Sequence, residues 1–173
     1  MKLKLLAPLA LAGIVGLGIG CESSSVKRPP LMEIRNDKNV SVAPRDATGT
    51  MGQIERLDPA LDALLAPDAK GEVLVKGLDW AEGPVWSRRE KCLLWSDVPQ
   101  NIIYSWNAKD GVRVYLKLSG YWGQTPRAGE PGSNGLTFDH QGRLVICQHG
   151  ERRVARLEKD GTIASVVDHF EGK

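Results

Sequence analysis

The feature that most constrains this chain is an internal repeat of about fifty residues, each unit holding four short apolar segments separated by turns. Glu82-Gly83-Pro84-Val85-Trp86 aligns with Asn134-Gly135-Leu136-Thr137-Phe138 at a shift of 52. Leu93-Leu94-Trp95-Ser96 aligns with Leu144-Val145-Ile146-Cys147 at 51, and Asp110-Gly111 with Asp160-Gly161 at 50. Apolar and β-branched runs predict strands near 73–76, 85–86, 92–96, 102–106 and 112–117, then near 136–138, 144–148, 154–157 and 163–167. Asp110-Gly111, Gln141-Gly142 and Asp160-Gly161 are the turn signals between them. Four short strands per unit is the pattern of a β-propeller blade, so the expected fold is all-β, with residues 71–173 forming the first two blades of a propeller. Propellers close with about four to eight blades, and two alone leave sheet faces and edges open. The expectation is therefore a truncated propeller, its third blade due to begin where the chain stops at Phe170-Glu171-Gly172-Lys173. A small β-sandwich of roughly eight or nine strands is the competing arrangement.

Upstream of the repeat the chain changes character three times. Lys2 and Lys4 precede an uncharged stretch from Leu5 to Ile19, too short to span a bilayer comfortably and suited to the apolar part of a secretory signal. It ends Gly18-Ile19-Gly20-Cys21, which resembles a bacterial lipoprotein signal (residues 1–20) with Cys21 as the lipidated first residue. An uncleaved anchor or a non-lipidated signal is the alternative. The expected location is outside the cytoplasm, on a membrane facing the periplasm or the cell exterior, held by the lipid on Cys21. Residues 21–50, with Ser23-Ser24-Ser25 and Pro29-Pro30, have no apolar period and read as a flexible tether. Within 51–70, Ile54, Leu57, Leu61, Leu64 and Leu65 recur at helical spacing. Asp58-Pro59 is a start signal and Pro67 a stop, which predicts a short docking helix.

Charge and motif content exclude several functions. Lys+Arg number 23 against Asp+Glu 21, for a net +2, and loss of Lys2 and Lys4 with the signal would leave the surface neutral. That is no footprint for a nucleic-acid binder. No polybasic segment follows Cys21, so lipid alone would hold the chain to a membrane. Three cysteines make no disulfide framework, and neither His140 nor His169 pairs with a cysteine or histidine at zinc spacing. There is no Gly-x-Ser-x-Gly elbow, no phosphate loop and no His-Glu-x-x-His. Nothing in the sequence sets an oligomeric state.

The repeat also places polar residues. With blade strands lettered A to D from the centre outward, the A starts, the B ends and the D-to-A crossover share one mouth. Glu82 and Asn134 are equivalent A-strand starts, and Asp97, Gln148 and His149 fall at B-strand ends of the same mouth. The crossover 119–133, carrying Tyr121, Trp122 and Pro126, is long enough to act as a lid. A carboxylate and a carboxamide converging on an axis suggest a hard cation with oxygen ligands. The plainer readings are a surface glutamate for Glu82, a turn at Ser133-Asn134-Gly135 and a structural histidine at 149. Cys92 and Cys147 sit at opposite ends of their B strands, which argues against a disulfide between them.

Asp79-Trp80-Ala81-Glu82-Gly83-Pro84-Val85-Trp86 and Leu94-Trp95-Ser96-Asp97-Val98 resemble the opening of the gluconolactonase family, which includes senescence marker protein and luciferin-regenerating enzyme. Gly132-Ser133-Asn134-Gly135-Leu136-Thr137-Phe138-Asp139 and Gln148-His149-Gly150-Glu151-Arg152-Arg153-Val154 are similar to bacterial gluconolactonase-type members. The resemblance covers about residues 54–173 and implies a six-bladed propeller that hydrolyses sugar lactones at one divalent metal, calcium in first place, with zinc and magnesium as alternatives. It makes Glu82 a metal ligand and carries Asn134, with His149 beside it, over as substrate-binding. The remaining ligands and the catalytic residues are expected beyond Lys173. A lipid-anchored propeller that binds a carbohydrate or a protein, with Tyr121-Trp122 at its mouth, is the competing function; an inactive fragment is the other.

Overall fold

The computed structural model describes the backbone of residues 25–26 and all of residues 44–125, 127 and 129–172. The expected signal segment 1–20, Cys21 and most of the tether lie outside the described residues, as do Pro126 of the expected lid and Lys173.

Two four-stranded antiparallel sheets dominate. The first blade is a meander of β6 (Ala81–Ser87), β7 (Cys92–Asp97), β8 (Ile102–Asn107) and β9 (Gly111–Lys117). The second is β10 (Ser133–Phe138), β11 (Leu144–Gln148), β12 (Arg153–Leu157) and β13 (Ile163–Val167) in the same order. A two-residue strand, β1 (Ser25–Val26), pairs antiparallel with the outer edge of β13.

The repeat is reproduced in backbone detail that side-chain pattern alone does not encode. Both A strands carry a bulge at the same point, between Glu82 and Val85 in β6 and between Ser133 and Leu136 in β10. Both outer pairs shift register at equivalent places, Ile103/Tyr104 and Val154/Ala155. Three turn positions hold positive φ in each blade: Lys91 and Gly142, Asn101 and Arg152, Gly111 and Gly161.

Alternation in β7 divides its residues between two faces. Cys92 and Leu94 point toward the second blade and join Ile103, Leu116, Leu144, Ile146, Ala155, Leu157 and Ile163 in one buried cluster. In β11 the residues one repeat after Leu93 and Trp95, namely Leu144 and Ile146, face back toward the first blade. Leu94 and Ile146 are wholly buried, worth about 1.5–3 kcal/mol each. The outward face of the first blade holds Trp95, Ile102 and Tyr104, with Val75 and Leu78 laid over them. Trp95 and Tyr104 stack with centroids 5.9 Å apart. Their burial drives the Tyr104 phenol up to about 12, with Asp97 and Asp79 adding to the rise.

The segment before the blades departs from expectation twice. The tether was expected to run to residue 50, but residues from 45 onward are pinned to the sheets. The strands β2 (Arg45–Asp46) and β5 (Val75–Lys76) pair antiparallel, as do β3 (Thr50–Met51) and β4 (Gly71–Glu72). Asp46 Oδ1 also accepts from Val112 N at 2.9 Å, capping the first turn of β9. The docking helix of 51–70 shrinks to a 3-10 turn at Pro59–Ala63 with no buried residue. Its predicted start holds, since Asp58 accepts from Ala60 N and Pro59 opens the turn. The leucine spacing misleads because Leu57 and Leu64 stay exposed, and so short a helix cannot persist without a tertiary face. Arg56 clasps the turn instead, through Asp62 at 2.6 Å and the carbonyl of Ala66.

Candidate functional site

The mouth is built by the two bulges. In β6, Gly83 takes φ +57, and a Cβ placed there would lie 2.6 Å from Asn134 O and 2.8 Å from both Gly135 Cα and Leu136 N. The two A strands therefore meet backbone to backbone at Glu82-Gly83 and Asn134-Gly135. That close approach sets Glu82 and Asn134 on neighbouring strand starts, as the repeat predicts. Beneath them lies a buried hydroxyl cluster. Ser96 Oγ donates to Asn134 O at 2.8 Å and lies 2.7 Å from Ser133 Oγ, which in turn reaches Ser119 Oγ at 2.9 Å. All three serines are fully buried, so the chain of hydroxyls ties β7 of the first blade, β10 of the second and the crossover together.

The half-buried Glu82 carboxylate is oriented by its own strand entry, with Trp80 Nε1 donating to Oε1 at 3.0 Å. Asn134 and His149 come together, with Asn134 Nδ2 3.3 Å from His149 Nδ1. A third member, Glu130, closes on the same ring nitrogen at 2.9 Å. Sequence reading missed Glu130, and Trp80 was quoted only as part of a motif. The one available signal for Glu130 was its place at the mouth end of the crossover, six residues before the predicted A strand at 136–138.

Asp97 and Gln148, also placed at this mouth, serve the backbone. Asp97 is buried and accepts from Asp79 N at 3.1 Å and Trp80 N at 3.2 Å, holding the chain that enters β6. Burial raises its carboxyl above the ordinary aspartate value, with those two N–H bonds pulling the other way. Gln148, its counterpart one repeat on, donates to Ser119 O at 2.8 Å and accepts from Arg153 Nε at 2.7 Å. Equivalent positions thus do equivalent work, pinning the incoming segment to each A strand.

The crossover is fastened at its base by Asn101. Asn101 Oδ1 accepts from Gly120 N at 2.7 Å, and Asn101 Nδ2 donates to Tyr121 O at 2.8 Å. Trp122 packs against the interblade core, its ring under the Arg153 guanidinium at 4.8 Å. Tyr121 donates to Thr125 O at 2.8 Å, and Arg127 lies over its ring at 4.7 Å. These contacts leave neither aromatic ring as a bare platform for a ligand. Cys92 is buried and Cys147 exposed, and both are free thiols.

Among the described residues, no three Asp, Glu, His or Cys side chains converge as a metal centre. Glu82 offers one anionic oxygen, whereas calcium takes about six to eight oxygen ligands. The two blades therefore hold one oriented candidate ligand and not a complete donor set.

Comparisons with known proteins agree with this geometry. The model of the SMP-30/gluconolactonase/LRE-like region matches residues 80–173, just over half of the chain. A gluconolactonase of Zymomonas mobilis is 36% identical over 127 residues, covering 72% of this chain and 36% of that protein. The chain thus spans about a third of the length of this curated relative. The solved structure of a gluconolactonase from Xanthomonas campestris superposes with a TM-score of 0.51 at 29% identity, covering 75% of this chain and 36% of that one. With paired bulged A strands, two four-stranded blades and a family match that begins at Trp80, the chain belongs to the SMP-30/gluconolactonase/LRE-like family.

Proposed function

We propose that this chain supplies the first two blades of a six-bladed propeller that hydrolyses sugar lactones such as glucono-1,5-lactone. The observation that carries the reading is the juxtaposition of Glu82 with Asn134 at bulged, abutting strand starts, in a chain of this family. In the reaction, water adds to the lactone carbonyl and the ring ester C–O bond breaks. The ring oxygen takes up a proton to become a hydroxyl, and the product is an aldonic acid.

Within this scheme Asn134 and His149 bind substrate hydroxyls at the rim, and Glu82 is a ligand to a divalent cation, calcium in first place. The other ligands and the proton-transferring groups belong to later blades, so the 173-residue chain alone is expected to be inactive. Export, lipidation at Cys21 and attachment to a membrane facing the periplasm or exterior complete the proposal. The first twenty residues carry that part of it.

The test follows glucono-1,5-lactone hydrolysis by pH-stat in a protein that contains these blades within a whole propeller, before and after chelation. Glu82→Gln should weaken calcium binding, read by calorimetry, and lower turnover in parallel. Full metal-dependent turnover in Glu82→Gln would remove Glu82 from the site. Turnover indifferent to chelator would remove the cation.

A further inference from the structure

Two polar groups compete for one nitrogen at the mouth. His149 Nδ1 lies 2.9 Å from Glu130 Oε2 and 3.3 Å from Asn134 Nδ2. A carboxylate only accepts and an amide NH2 only donates, so no single protonation state of Nδ1 satisfies both. If Nδ1 were bare, Asn134 would be satisfied and the Glu130 oxygen would face a lone pair at hydrogen-bond distance. If Nδ1 carries a proton, the shorter contact becomes a charge-assisted bond, the stronger kind. The longer contact is then relieved by turning the Asn134 amide over, which exchanges its Nδ2 for its Oδ1. The second state wins on both distance and charge.

We infer that Glu130 is a positioning residue that holds His149 as its Nδ1–H tautomer, and that Asn134 turns its carbonyl oxygen toward the same N–H. The consequence is a defined recognition pair at the mouth. In the neutral ring, Nε2, the nitrogen that neither residue engages, is then a lone-pair acceptor on a side chain 52% exposed. The Asn134 NH2 is released as a donor. An acceptor beside a donor suits a ligand that offers a hydroxyl hydrogen and an oxygen lone pair from adjacent atoms, as a polyhydroxylated ring does. Naming that ring a sugar lactone rests on the proposed function; the tautomer does not. The same orientation makes Asn134 a substrate donor rather than an oxygen ligand for a cation.

The experiment is long-range proton–nitrogen NMR of the full chain labelled with nitrogen-15, in which each imidazole nitrogen reports whether it carries the proton. The chain has three histidines, and His149→Gln identifies the signal. His169, whose Nδ1 lies 2.7 Å from Asp168 Oδ1, is an internal control remote from Glu130. The wild type should show a protonated Nδ1 and a bare Nε2 at His149. Glu130→Ala should move the proton to Nε2, the site an unconstrained imidazole favours, and leave His169 unchanged. Glu130→Gln, whose carbonyl oxygen can still accept, should restore the wild-type pattern. A bare Nδ1 in the wild type would overturn the inference. So would an Nδ1–H that survives Glu130→Ala. Glu130 sits in a partly exposed segment, and backbone amide signals of the buried strands β7 and β11 that match the wild type certify that the variant is folded. None of these outcomes depends on whether lactone is hydrolysed, so the inference and the proposed activity fail separately.

Discussion

The contact between the two A strands makes a quantitative prediction at Gly83. Alanine there meets two separate penalties. Its backbone sits at φ +57, where a Cβ costs about 1–2 kcal/mol. The following Pro84 adds to the strain, because a side chain before proline is pushed toward extended backbone. The new methyl also falls 2.6–2.8 Å from three backbone atoms of residues 134–136, none of which can rotate away. Forcing such a contact apart costs about another 1–3 kcal/mol, as overpacking does in cores. The sum is roughly 2–5 kcal/mol, which for a domain of this size lowers Tm by about 8–20 °C. Gly142 supplies the control, since it has φ +72 but open space where its Cβ would be. Gly142→Ala should therefore show the conformational cost alone, about 1–2 kcal/mol or 4–8 °C. Thermal melts followed by circular dichroism compare the two variants directly. If Gly83→Ala melts no lower than Gly142→Ala, the two blades do not meet at this bulge and the geometry of the mouth is wrong.

Two further predictions concern titrating groups. Asp97 has a folded pKa above the ordinary 3.8, because burial outweighs its two N–H bonds. Its favourable contribution is complete below the unfolded value and is lost as pH rises through the folded one. Asp139 is held below 3.8, first by the backbone N–H of Arg143 and then by the Arg143 side chain at 2.7 Å, so its contribution is present above 3.8 and lost as pH falls through the folded value. In urea midpoints from about pH 3 to pH 7, the deficit of Asp97→Asn should shrink with rising pH and that of Asp139→Asn should grow. Matching trends would refute one assignment. Under native conditions a thiol reagent should modify Cys147 and spare Cys92, whose thiol is buried and raised by that burial. Modification of Cys92 at the rate of Cys147 would contradict the interblade core.

The sequence showed the strands and hid the bulges, and the reason is local chemistry. Glu82-Gly83-Pro84 and Ser133-Asn134-Gly135 hold the residues of turns, so each A strand was expected to begin late, near Val85 and Leu136. In the structure those residues continue the ladder with one extra residue, extending the strands back to Ala81 and Ser133. Glycine and proline here mark a bulge and a close backbone approach, which share the composition of a turn. What rescued the reading was register: at a shift of 52 Glu82 falls on Asn134 whatever the local conformation, so their shared mouth was legible. Register also put Asp97, Gln148 and His149 there, but could not say which way each side chain turned. Asp97 and Gln148 alternate into the sheet and meet buried backbone, whereas His149 follows the last residue of β11 and meets Glu130. Glu130 was missed for a related reason. It belongs to the crossover, whose sequence has no counterpart within the repeat, so no alignment of one blade on another could assign it a place. The same limit explains the failed helix, where leucine periodicity described a possible face but not a surface to receive it. Repetition therefore carries information about what recurs, and the residues that make one blade's mouth particular are those that repetition cannot reach. That is why the decisive measurement on this site concerns Glu130.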